Sequence, residues 1–202
     1  MAGIFEDGKV IRRFVTPMSV ASNQPVFVAD TLSLARQVVS REVQRWEITT
    51  NIEPSNDSPD LLIHSVVNGY AGVFDILMPQ VYRPKFVETR ARLIKPLEAK
   101  TAGVNTFSTL ATPVSSRLLK GEFIRFTNHS KIYLITNIVT VDTTDVITIF
   151  PKLVRPIATT ESINYGQNVI LKARYDTDTM LGITYTDGVL SDMGTVTFIE
   201  AL

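Results

Sequence analysis

Trp46, Ile48, Thr50 and Ile52 alternate with Glu47, Thr49, Asn51 and Glu53. A period of two marks a strand with one buried face, and it does not fit the 3.6-residue period of an amphipathic helix. Further along, short apolar runs recur at close spacing: Thr106 to Leu110, Phe123 to Thr127, Ile132 to Val141, Val146 to Phe150 and Val169 to Tyr175. Polar turns separate them, at Asn128-His129-Ser130 and at Asp142-Thr143-Thr144-Asp145. Short strands at this spacing predict a mainly β chain, with a small barrel or sandwich after Pro96.

Other segments fill in the organisation. Leu32, Leu34, Arg36 and Val38 alternate more weakly; the segment reads as a strand or as a short helix capped by Asp30. One longer helix is signalled over about 59–68. Ser58 is a good N-cap, Pro59 suits the first helical position and Asp60 suits the positive end. Leu61, Leu62, Ser65, Val66 and Gly69 share a face, and Asn68-Gly69 supplies a stop. Val73 to Met78 reads as a strand ended by Pro79, Gln80 to Pro84 as a turn or edge segment, and Glu88 to Lys95 as a strand with a solvated basic face.

Ile183 to Thr186, the Asp187-Gly188 turn and Thr195 to Leu202 suggest a closing meander. It is too short to bury a core alone. Its simplest place is with the N-terminal strands, which makes 94–172 an inserted domain and 1–93 with 173–202 a discontinuous one. Charge follows the same division. The insertion holds nine basic and five acidic residues, and the remainder holds eleven and fifteen.

These opposite surpluses cancel in a net charge of zero over 202 residues. A dedicated duplex-DNA binder carries a basic excess, because phosphate neutralisation supplies much of its affinity. Near-neutrality and a mean hydropathy of +0.14 favour a chain that covers surface against other subunits. The absence of cysteine excludes a disulfide framework and thiolate metal sites, and two histidines, His64 and His129, cannot make a three-histidine zinc site. Met1 to Val10 carries Glu6, Asp7 and Lys9 without an apolar run, so no secretory signal is expected. The longest nearly apolar stretch, Val73 to Pro79, is broken by Asp75 and is far shorter than the roughly 20 residues of a membrane helix. The two glycosylation sequons, at Asn56 and Asn128, are read as chance.

No catalytic motif is present: no nucleophile elbow, phosphate-binding loop, dinucleotide fingerprint or zincin helix. No enzyme activity, metal or cofactor is expected. His64 reads as a surface or interface residue of the predicted helix, and His129 as a turn residue. Asp142 and Asp145 flank a hairpin turn, where Asp is favoured for its bonds to nearby backbone, and Asp176 and Asp178 read as turn residues too. Trp46 reads as a core residue or interface anchor. The best candidate for a ligand or partner face is Phe123, Arg125, Phe126, Lys131 and Tyr133 on neighbouring strands. On a small barrel such aromatics stack nucleobases or sugars. In the competing reading, Phe123 or Phe126 fills the barrel while Arg125 and Lys131 are solvated.

Several stretches resemble the distal tail proteins of long-tailed bacteriophages. One is Arg45-Trp46-Glu47-Ile48, followed by the predicted helix and Asp75-Ile76-Leu77-Met78-Pro79-Gln80. Another is Gly121-Glu122-Phe123-Ile124-Arg125-Phe126 with His129-Ser130-Lys131-Ile132-Tyr133-Leu134-Ile135-Thr136. A third is Ile147-Thr148-Ile149-Phe150-Pro151-Lys152-Leu153. The order of elements agrees from about residue 30 to the end. The resemblance implies a tail-tube-like β-sandwich or barrel with one flanking α-helix, closed into a homohexameric ring, and an inserted small OB-like β-barrel on its outside. It implies a structural virion protein that joins the tail tube protein to the baseplate hub or tail-tip protein and can hold tail fibres. DNA would pass through the ring without specific binding, and no membrane is involved. An acidic ring domain suits a DNA conduit, and Glu42, Glu47, Glu53, Asp57, Asp60 and Glu88 are the candidate channel-facing acids. The alternative functions are a carbohydrate- or nucleic-acid-binding module built on the barrel, and an enzyme of a class the sequence does not mark.

Overall fold

The computed structural model describes residues 2–6, 9–30, 36–40, 43–52, 72–80, 93–111, 118–176, 184–186, 189–192 and 195–201. The predicted helix over 59–68, residues 88–92 of the strand predicted over 88–95 and the Asp187-Gly188 turn lie outside the described residues, and 93–95 form no strand beyond a bridge at Ile94.

The chain is mainly β. Its strands are β1 (Gly3–Glu6), β2 (Lys9–Asn23), β3 (Val26–Asp30), β4 (Arg36–Ser40), β5 (Arg45–Ile52), β6 (Phe74–Leu77), β7 (Thr106–Leu110), β8 (Phe123–Phe126), β9 (Tyr133–Val141), β10 (Thr144–Phe150), β11 (Ile163–Asn164), β12 (Ile170–Tyr175), β13 (Thr184–Thr186), β14 (Val189–Asp192) and β15 (Thr195–Glu200). Two compact units divide them. One comprises 11–74 and 172–201, the other 1–10, 75–171 and residue 202. The sequence division placed 1–93 with 173–202 and 94–172 apart; here residues 1–10 fall with 75–171. The boundary ahead of 75–171 falls near Phe74, well ahead of the change of pattern at Pro96.

In the first unit β2, β5, β15 and β12 lie side by side, antiparallel along β2–β5, β5–β15 and β15–β12. The alternation read from β5 is real: Trp46, Ile48, Thr50 and Ile52 are buried, and Glu47 and Thr49 point to the other face. Phe198 of β15 stacks on Tyr175 of β12 at 5.0 Å, and Phe74 meets both rings edge-on. Glu200 is buried beside them and accepts the Trp46 N–H at 3.2 Å. β2 carries Pro17 inside its span, where proline cannot donate to a ladder. Its register against β5 slips between Val15 and Ser19, around that proline; a bulge is where a strand tolerates one.

The other unit holds a five-stranded antiparallel sheet in the order β11-β8-β9-β10-β7. Its core gathers Ile94, Phe107, Leu118, Ile124, Phe126, Tyr133, Ile135, Ile147, Ile149, Leu153, Ile157, Ile163 and Tyr165. Inward residues follow the period of two: Phe107 and Thr109 on β7, Asp145, Ile147 and Ile149 on β10. The β9–β10 turn is Asp142-Thr143, since Val141 pairs with Thr144. Asp142 takes φ 52° there. Asp145 is not part of the turn: it is buried on β10 and accepts the Thr140 hydroxyl at 2.6 Å.

Residues 75–80 join this unit through specific bonds. β1 pairs with β6, Ile4 opposite Ile76. The Met78 N–H donates to Val169 O at 3.0 Å. The Gln80 amide faces the Phe123 backbone, donating to its carbonyl at 3.3 Å and accepting its N–H at 3.2 Å. A side-chain amide with a donor and an acceptor can stand in for the neighbouring strand that this residue lacks on that side. These bonds explain why the boundary lies before Asp75 rather than at Pro96.

Candidate functional site

The five residues expected to form a face on the barrel do not form one. β8 alternates, so Phe123 and Arg125 lie on one side and Ile124 and Phe126 on the other. Phe126 is fully buried, edge-on to Phe107 at 5.3 Å and to Tyr133 at 5.7 Å. Tyr133 is buried as well, and Lys131 is only 1% exposed rather than solvated. Two of the three rings that would have stacked a base or a sugar, Phe126 and Tyr133, are spent on the core, and Phe123 lies half-buried on the other side of β8.

Arg125 is half-buried and committed to backbone. Its Nη1 donates to Ile170 O at 2.9 Å, while its buried Nε has no hydrogen-bond partner. Burial pulls its pKa below the usual guanidinium range, and the Asp75 carboxylate opposes that. A guanidinium so held ties β8 to β12 at Ile170 and does not reach for a ligand. His129 lies in the turn after β8, and it is buried there against Phe126 and Tyr133.

Of the acids expected to face a channel, Glu47 alone is described. It is half-buried on the non-core face of β5 and accepts a hydrogen bond from the Asn23 amide. Glu42, Glu53, Asp57, Asp60 and Glu88 lie outside the described residues. Among the described residues no group of three His, Cys, Asp or Glu side chains is placed to hold a metal ion. No helix is long and apolar enough to cross a membrane.

The feature that stands out instead is β3 and β4. They pair only with each other among the described strands, Val26 opposite Ser40, Phe27 opposite Val39 and Val28 opposite Val38. The two-stranded arm continues the β2–β5 ladder, where Asn23 faces Arg45. Five further paired positions extend it by about 15 Å at the usual strand rise. Phe27 and Val39 are 59% and 61% exposed on one face, and Val28 and Val38 are 44% and 58% exposed on the other. Val26 and Val43 add to the same exposed apolar surface.

Such an arm is not self-sufficient. A lone two-stranded ribbon is at best marginally stable in water, and contiguous exposed apolar surface on a folded chain marks an interaction site. The signal was in the sequence: Val26-Phe27-Val28-Ala29 and Val38-Val39 are unbroken apolar runs, which put apolar side chains on both faces of a strand. The alternation of Leu32, Leu34, Arg36 and Val38 is the weaker signal there. No protein-family model and no curated protein matches the chain.

Proposed function

We propose that this chain is a structural subunit of a phage tail tip, closing with five copies of itself into a ring between the tail tube and the baseplate hub. The observation that carries the reading is the β3–β4 arm, apolar and exposed on both faces. An arm of this kind on one copy and its receiving surface on the next make a head-to-tail contact, and head-to-tail contacts that close give rings. The tube and hub template the closure, so the isolated subunit need not form the ring. The sequence resemblance to distal tail proteins supplies the setting: a structural virion protein, made in the host cytoplasm, with DNA passing through the ring and tail fibres held outside. The near-zero net charge and the absence of a basic excess suit a conduit that must not hold DNA.

Imaging of tails with the chain located by a tag tests this. Six copies at the distal end are expected; one or two copies per particle, or none, overturn it. Replacing Phe27 and Val39 by Asp should leave a soluble, folded subunit that no longer enters tails. If that double variant assembles normally, the arm is not the contact.

A further inference from the structure

One buried cluster remains unused by this reading. His129 lies in the turn between β8 and β9, 4% exposed, with the Phe126 and Tyr133 rings beside it at 5.3 and 5.8 Å. Its Nδ1 is 2.9 Å from Tyr133 Oη, and its Nε2 is 3.4 Å from Pro156 O. A carbonyl only accepts, so the neutral ring carries its proton on Nε2 and accepts the Tyr133 O–H at Nδ1. Tyr133 Oη in turn accepts the Val154 N–H at 3.3 Å. The turn is thereby tied to the segment that follows β10, at Val154 and at Pro156.

The charged groups acting on the ring are both on that segment. Glu161 Oε2 is 3.9 Å from Nε2, buried and without a hydrogen-bond partner; Glu161 Oε1 accepts the Ala158 N–H at 3.3 Å. Arg155 adds a like charge. Burial dominates and holds His129 below its ordinary 6.5, with Pro156 O and Glu161 pulling the other way and Arg155 adding to the depression.

We propose that His129 is a proton-sensitive latch: in its neutral form it holds Val154 to the β8–β9 turn through Tyr133, and on taking a proton it releases that one anchor. The chemistry is local. Protonation puts a hydrogen on Nδ1, where it meets an oxygen whose own hydrogen occupied that line and which already accepts from Val154. The Tyr133 O–H must turn to another acceptor, and two donors then compete for one oxygen. The new cation draws on Glu161 instead of Tyr133. Acid therefore trades the Val154 anchor for a pull on Glu161. Val154 and Arg155 are exposed, so the surface that changes is one a partner can read.

Amide hydrogen exchange on the full chain from pH 8 to 5, corrected for intrinsic rates, tests the latch, with the His129 ring followed by NMR in the same samples. Protection of Val154 should fall about tenfold for each pH unit below about 6.5, until the latched ring itself is protonated. Core amides such as Ile147 should keep theirs. In Tyr133→Phe, Val154 should be poorly protected at every pH, and His129→Gln should remove the pH dependence. The native chain alone decides the matter even if those variants fail to fold. A ring that titrates while Val154 stays protected overturns the proposal, and so does a protection of Val154 that does not change between pH 8 and 5.

Discussion

Asp142 occupies a backbone conformation that most side chains avoid, and the β9–β10 register depends on it. Asp tolerates positive φ better than branched residues because its short side chain bonds locally. Asp142→Val should lower the stability of the unit that holds the five-stranded sheet by about 1 kcal/mol, read from denaturant midpoints, while Asp142→Gly should not lower it. His129 gives a second residue-scale expectation. Its folded pKa lies below 6.5, so between the two values the unfolded chain binds the proton that the folded chain refuses. Stability is then fully present above pH 6.5 and declines as pH falls towards the folded value. His129→Gln should remove that part of the decline in urea midpoints taken between pH 8 and 5. Phe126, fully buried among Phe107, Tyr133 and His129, should cost about 3–5 kcal/mol on truncation to Ala. A ligand-stacking residue on the surface would cost far less.

Among elements, the arm separates assembly from folding. Under the proposed function, the β3–β4 amides should exchange within the fastest class in free subunits and become protected in assembled tails; exchange unchanged by assembly would show that nothing covers the arm. Most strands could be read in advance where one face is buried. β7 spans the residues expected, and β5, β8, β9, β10, β12 and β15 differ from their readings only at the ends. β2 escaped notice because Arg12, Arg13 and Pro17 break its pattern, and only a bulge in register with β5 reconciles them. The barrel face was misjudged for a plainer reason. Phe123 and Phe126 are separated by three positions, an odd number, and a strand sends such residues to opposite sides. Lys131 escaped because nothing in its neighbours along the chain reports the burial of a charge.

At the scale of the whole molecule, the described core of the five-stranded sheet draws its members from Ile94 to Tyr165. A fragment spanning 94–171 should therefore fold alone and melt cooperatively. A fragment spanning 75–171 should be more stable, because it restores the Met78–Val169 bond and the Gln80–Phe123 pair, each bond worth about 1 kcal/mol. A 94–171 fragment that shows no cooperative melt would mean that the core is incomplete without its flanks. Excising 97–170 through a short linker should leave the remaining strands folded, since the aromatic cluster of Phe74, Tyr175 and Phe198 lies wholly outside the deletion. The arm carries a cost in time rather than in energy. Two apolar strands that pair only with each other among the described strands are a template for any other exposed strand, including the same arm on a misaligned neighbour. If the arm docks as proposed, a cell that makes this subunit before its docking sites exist accumulates aggregates in proportion to the delay. The order of synthesis, and the ratio of subunit to tube and hub, would then limit the yield of particles more tightly than the stability of the subunit does.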